Sequence, residues 1–71
     1  MADLINNPPH YQSGGLEAID VIEAFELNYR LGNACKYILR AGRKDNAIQD
    51  LQKAVWYLQR EIKRAEFLEG Q

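Results

Sequence analysis

The chain has 71 residues, of which 46% are hydrophobic and 27% are charged, and its formal net charge is −1. This composition is typical of one small folded domain over residues 1–71 and excludes a disordered chain. A single cysteine, Cys35, excludes an intrachain disulfide, and a single histidine, His10, argues against a Cys–His zinc site. Because so small a domain is marginally stable alone, we expect good helix packing or self-association to support it.

Hydropathy and charge also limit the partners. No apolar run approaches the ~20 residues that cross a bilayer, and residues 1–6 lack a basic region and a signal-peptide core. We therefore expect a cytoplasmic protein without a membrane partner. A pI near 5.7 gives no strong signal for nucleic-acid binding.

Three helices are predicted after an irregular segment at residues 1–15, which contains Asn-Asn-Pro-Pro and Ser-Gly-Gly. The spacing of apolar residues predicts helices over 16–26, 29–41 and 47–68, with Asn28 and Asn46 as N-caps and Gly42 after the second helix. The expected fold is all-α: a short N-terminal helix followed by an antiparallel helical hairpin, in an oligomer.

Each helix has one apolar side, and these sides are expected to form the core. On the third helix this side recurs at intervals of three and four residues, and it comprises Ile48, Leu51, Val55, Leu58, Ile62 and Ala65. Tyr37, Trp56 and Tyr57 lie off the apolar sides, which predicts a second buried surface, most simply against another copy of the chain.

A basic face on the second helix is the strongest candidate site. Asn33, Lys36, Tyr37 and Arg40 are spaced i, i+3, i+4 and i+7, so their side chains project together, and Lys44 follows in the next turn. Arg and Lys bind phosphate, Asn offers donors and acceptors to a base, and Tyr offers a stacking surface. The alternative is a solvated basic face that compensates the acidic first helix.

Three weaker candidates lie elsewhere. His10 and Tyr11 could clamp a base or shuttle a proton, or be an ordinary surface loop. The acidic residues of the first helix could share magnesium or form a solvated face; they are Glu17, Asp20, Glu23 and Glu26. One further set lies opposite the apolar side of the third helix and could belong to a site, a subunit contact or an exposed ladder; it comprises Asp50, Lys53, Tyr57, Arg60 and Arg64. No Walker motif, Gly-x-Gly-x-x-Gly motif or nucleophile elbow is present.

Several strings together resemble a known family. They are Asn7-Pro-Pro-His10-Tyr11, Gly32-Asn33-Ala-Cys-Lys36-Tyr37-Ile-Leu-Arg40-Ala-Gly42-Arg-Lys44 and Asp50-Leu-Gln-Lys53-Ala-Val-Trp56-Tyr57-Leu58. Over residues 6–64 the chain resembles the SaV-like phage family of small helical domains, which is shared with a larger nucleotide kinase of a T-odd coliphage. The resemblance implies phage origin, an all-helical oligomer and nucleotide ligands. The matching residues are His10, Tyr11, Asn33, Lys36, Tyr37, Arg40, Lys44, Asp50, Lys53 and Tyr57.

The expected function is therefore binding of a nucleotide or cyclic nucleotide at subunit interfaces of a homo-oligomer, in the host cytoplasm if the chain is phage-encoded. The expected ligand-binding residues are His10, Tyr11, Asn33, Lys36, Tyr37, Arg40 and Lys44, with no resident metal or cofactor. Small helical phage proteins that sequester host immune nucleotide signals are a precedent by architecture. Two alternatives are a nucleoside monophosphate kinase without a P-loop, using magnesium, and a structural oligomerisation module.

Overall fold

The computed structural model describes residues 15–43 and 46–70. Within these ranges the secondary structure consists of three α-helices: α1 (Ala18–Ala24), α2 (Tyr29–Arg40) and α3 (Ala47–Glu69). The described residues contain no strand, and the predicted all-α class is confirmed. None of the three helices combines the length and the hydropathy that crossing a bilayer requires.

The caps that delimit α2 and α3 are those expected from the sequence. The side-chain oxygen of Asn28 accepts a hydrogen bond from the Leu31 amide at 2.8 Å. The side-chain oxygen of Asn46 accepts one from the Gln49 amide, also at 2.8 Å. Each bond satisfies an amide that the first turn of a helix otherwise leaves free. Gly42 follows α2 with φ +84°, the left-handed conformation that glycine adopts most easily.

The end of α1 comes earlier than the apolar spacing predicts, and it is closed by a Schellman motif. The Leu27 amide donates to the Ile22 carbonyl at 2.9 Å, and the Glu26 amide donates to the Glu23 carbonyl at 3.1 Å. This pair of bonds requires a left-handed residue, and Glu26 takes that conformation with φ 52°. Because the residue is not glycine, the sequence contains no conventional sign of this helix end.

α2 and α3 pack through small side chains. Ala34 and Ala54, at 2% and 3% exposure, are the buried apolar residues among those described. Arg30, in the first turn of α2, contacts Glu61 of α3, whereas the last residue of α2, Arg40, contacts Asp50 in the first turn of α3. Alanines at the contact let the two helices approach closely.

The predicted core on α3 is wrong. Ile48, Leu51, Val55, Leu58 and Ile62 are between 37% and 70% exposed. α3 instead contacts α2 with a neighbouring side, whose residues recur at intervals of four, three and four: Asp50, Ala54, Tyr57 and Glu61. The prediction failed because it assumed that the most apolar side of a helix packs within its own chain.

α1 packs on α2 at a glycine. A Cβ atom at Gly32 would lie 3.3 Å from Cγ2 of Ile22, closer than ordinary van der Waals contact. The glycine therefore permits the close approach of α1 to α2. Phe25 is 74% exposed and lies at the C-cap of α1, just beyond the last helical residue.

Candidate functional site

The predicted site is only partly within the described residues. His10, Tyr11 and Lys44 lie outside them, so their roles stay predictions. Asn33, Lys36, Tyr37 and Arg40 all lie on α2. From their spacing in the sequence, these four side chains are expected to project together from one helix face.

Tyr37 lies between the helices, where it forms part of an aromatic cluster. Its ring stacks on that of Tyr57 from α3, with a centroid distance of 6.1 Å and an interplanar angle of 18°. Tyr29 meets the same Tyr57 ring edge-on, at 6.1 Å and 70°. A hydrogen bond with the Tyr29 side chain, followed by burial, raises the pKa of Tyr57. The three tyrosines join α2 to α3, so Tyr37 and Tyr57 pack on each other within one chain, whereas the sequence predicted a surface buried against another copy.

Two lysines from different helices converge on the Tyr37 ring. The Lys36 Nζ lies 4.6 Å from the ring centroid, and the Lys53 Nζ lies 5.3 Å from it. Both distances are within the range of cation–π attraction. Both lysines are exposed, so their ammonium groups lie next to solvent. We call this set the tyrosine–lysine cluster; it comprises Tyr29, Lys36, Tyr37, Lys53 and Tyr57.

Asn33 and Arg40 are partly committed to contacts within the chain. The Asn33 side-chain amide donates to the Tyr29 carbonyl of its own helix at 2.8 Å. The Arg40 Nε lies 3.6 Å from Oδ2 of Asp50, too far for a good hydrogen bond but close enough for charge attraction. The Asp50 side chain is 5% exposed and that of Arg40 is 47% exposed. α3 therefore contacts the side of α2 that carries Tyr37 and Arg40, and both side chains are partly occupied by residues of the same chain.

A shallow depression of about 190 Å³ adjoins the tyrosine–lysine cluster. Its lining comprises Ile22, Leu27, Asn28, Tyr29, Gly32, Asn33 and Lys36. The volume is below the ~300 Å³ at which pockets for whole small-molecule ligands begin. This depression therefore suits one moiety of a ligand, such as a base, with the remainder on the neighbouring surface.

A second group of cations was not recognised as a group from the sequence, which placed only Arg60 and Arg64 of its members together on one side of the third helix. Arg30, Arg60, Lys63 and Arg64 surround a depression of about 300 Å³. The spacing of residues 60, 63 and 64 places them on one side of α3, but only the packing of α2 brings Arg30 to them. Sequence spacing could have found the three α3 residues and could not have found the fourth.

One carboxylate anchors this second group. The Arg30 Nε donates to Oε1 of Glu61 at 2.6 Å, and the Asn28 side-chain amide lies 3.2 and 3.3 Å from the two Glu61 oxygens. The hydrogen bond from Arg30, helped by that from Asn28, lowers the pKa of Glu61 although partial burial opposes the shift. Asn28 thus caps α2 with its oxygen and binds α3 with its nitrogen.

The described residues offer no site for a metal ion. No group of three or more His, Cys, Asp or Glu side chains within residues 15–43 and 46–70 could hold one. On α1, the Asp20 carboxylate accepts a hydrogen bond from the Glu17 amide at 2.8 Å, which stabilises the first turn. At least one carboxylate of the acidic side therefore serves the helix itself.

Comparison with known proteins places the chain in a family. No curated protein and no solved structure matches it. Residues 5–59 match DUF3310, a family described as proteins of unknown function. The matched range includes the predicted site residues His10, Asn33 and Lys36 and the tyrosine–lysine cluster. Since this range is most of the chain, the protein belongs to the DUF3310 family.

Proposed function

We propose that the chain binds a phosphorylated nucleotide at the tyrosine–lysine cluster. The observation that carries the proposal is the convergence of Lys36 and Lys53, from two helices, on the single ring of Tyr37. Like charges repel, so two exposed ammonium groups beside one ring create a place where an anion is favourable. A phosphate group that both lysine side chains reach would accept hydrogen bonds from both.

Charge balance around the cluster supports an anionic ligand. Arg40 is paired with Asp50, so those two residues cancel each other's charge. The two lysines therefore leave a local surplus of positive charge at the centre of the cluster. The overall charge of −1 does not oppose this, because the described acidic residues that precede α2 lie in α1 or next to its ends: Glu17, Asp20, Glu23 and Glu26.

The aromatic part of the cluster supports a nucleotide over a bare phosphate. Tyr29 is 73% exposed and lines the small depression together with Asn33. A base stacked on an exposed tyrosine ring gains roughly 1–3 kcal/mol. Asn33, whose nitrogen is bonded to its own helix, would present its amide oxygen to a donor on the base.

The ligand class also draws on the resemblance to the SaV-like phage family. His10, Tyr11 and Lys44 enter the proposed site on that resemblance and on their residue types, a possible base clamp and a further phosphate-binding cation. The proposal includes the antiparallel hairpin of α2 and α3, supported by the reversed order of their contacts, and a homo-oligomer in the host cytoplasm.

Calorimetry with mono-, di- and cyclic nucleotides tests the proposal. Lys36→Ala and Lys53→Ala should each weaken binding by about 1.5–3 kcal/mol, or about 10–150-fold. Lys63→Ala is the matched control, because it removes the same charge about 15 Å further along α3 than Lys53. It should leave affinity nearly unchanged.

Three results would contradict or redirect the proposal. No heat with any nucleotide would refute it. An equal loss in Lys63→Ala would mean that the ligand responds to general charge or to the second basic group. Diphosphate formed from a nucleoside monophosphate and magnesium–ATP, absent in Lys36→Ala, would assign the kinase alternative.

A further inference from the structure

A continuous apolar face is left open by the contact between α2 and α3. It comprises Ile38 of α2 and Ile48, Leu51, Val55, Leu58 and Ile62 of α3. Every one of these side chains is at least 37% exposed. In contrast, the buried apolar residues of the described chain are two alanines. Large aliphatic residues that remain in water while alanines are buried indicate an interaction surface.

Helix geometry separates this apolar face from the tyrosine–lysine cluster. Successive residues of an α-helix are about 100° apart around its axis. Lys36 and Ile38 therefore lie on opposite sides of Tyr37, which faces α3. In the same way Lys53 and Val55 lie on opposite sides of the buried Ala54. The helix pair thus has one basic, aromatic face and one apolar face.

The residue types on the apolar face point to a second copy of the chain. Read as a heptad, Ile48, Val55 and Ile62 take the a position, and Leu51 and Leu58 take the d position. β-Branched residues at a with leucine at d favour association of two helices. The five residues extend over about 21 Å of α3, so the seam is long enough for several layers of contact.

The available area is compatible with a dimer. The six half-exposed aliphatic side chains present roughly 600 Å² per copy, and polar rim residues would bring this near the ~800 Å² per partner of a standard interface. Residues 1–14 of the same chain would cover the apolar face less well than a second copy. Residues 1–14 contain few large apolar residues, namely Met1, Leu4, Ile5 and Tyr11, against six such residues to be covered.

We propose that the apolar face packs against the same face of a second copy, α3 on α3, so that two helix pairs form a four-helix bundle. The inference rests on the homo-oligomer of the proposed function and makes it specific. Each copy then carries its own tyrosine–lysine cluster on the outside of the bundle. Ligand sites are consequently separate from this interface, one for each chain, and this arrangement differs from the subunit-interface site expected from the sequence.

Sedimentation velocity of the full chain over a range of concentrations tests the interface. The wild-type chain should sediment as a dimer or a multiple of dimers. Leu58→Glu should shift it to monomer at concentrations where the wild type is associated. Leu68→Glu is the matched control, since Leu68 is 53% exposed on the same helix but lies off the apolar face. It should sediment like the wild type.

A milder variant keeps the test valid if Leu58→Glu does not fold. Val55→Ala should raise the dimer dissociation constant about tenfold while circular dichroism shows that helicity is retained. A monomeric wild type, or unchanged association in both Leu58→Glu and Val55→Ala, would overturn the inference. Nucleotide titration is a separate readout, because a dimer that binds no nucleotide refutes only the proposed function.

Discussion

Arg40 and Asp50 form an ion pair whose two members differ in burial, so we expect substitution of one to destabilise the chain more than substitution of the other. The Asp50 side chain is 5% exposed, whereas that of Arg40 is 47% exposed. Arg40→Ala would leave a buried carboxylate without the guanidinium that faces it. Asp50→Asn would leave a cation that water already solvates, with an amide of nearly the same volume in the buried position.

The expected magnitudes follow from that difference in exposure. Leaving a buried charged group unpaired costs about 2–3 kcal/mol, or somewhat more in a dry site. Losing an attraction to a half-exposed cation costs about 1 kcal/mol or less. In a domain of this size 1 kcal/mol corresponds to roughly 4–8 °C, so Arg40→Ala should lower Tm by about 10–20 °C and Asp50→Asn by less than ~8 °C.

Thermal and urea unfolding, followed by circular dichroism, measure both variants. Protein concentration must be held constant, because association with a second copy makes Tm depend on it. The double variant Arg40→Ala with Asp50→Asn should be more stable than Arg40→Ala alone, since the unpaired charge is gone. Equal losses in the two single variants, or a larger loss in Asp50→Asn, would refute the reasoning from burial.

Three further predictions concern the helix ends and contacts. Because Arg30 lowers the pKa of Glu61, the pair should contribute all of its stabilisation above the ordinary glutamate pKa and lose it as the pH falls through the lowered pKa. Glu61→Gln should remove this loss of stability at acid pH, which unfolding measured between about pH 7 and about pH 3 would show. Glu26→Gly should stabilise the chain by about 1 kcal/mol, since the left-handed position at φ 52° suits glycine, and a lower Tm would contradict the assigned helix end. Gly32→Val should lower Tm by several degrees because the added carbons meet Ile22, while Gly32→Ala should have little effect, as gained helix propensity offsets a tight contact; equal effects of the two variants would argue against the close approach.

Local structure was largely predictable from the sequence. Asn28 and Asn46 begin their helices as expected, and Gly42 follows α2 in the left-handed conformation. These features depend on hydrogen bonds between residues a few positions apart, so a short stretch of sequence contains the information. The end of α1 was predicted at Glu26, two residues too late, because Glu26 occupies a left-handed position in which glycine is the usual residue.

Only the part of the candidate site that lies on α2 was predictable from the sequence. Spacing on α2 identified Lys36 and Tyr37 as neighbours on one helix face. Lys53 and Tyr57 reach the same place from α3, and the sequence alone left them open between a site, a subunit contact and an exposed ladder. Which residues meet across two helices depends on how each helix is rotated about its axis, and spacing within one helix does not contain that rotation.

The amino-acid sequence by itself determined that the chain is helical, where α2 and α3 begin, and which side of each helix is apolar. Only the tertiary structure decided which side of α3 faces α2. The contact between α2 and α3 consists of two buried alanines, Ala34 and Ala54, a tyrosine stack and two ion pairs. The aliphatic side of α3 stays exposed. The physical reason is that hydrophobicity requires apolar surface to be covered without specifying whether the cover comes from the same chain or from another.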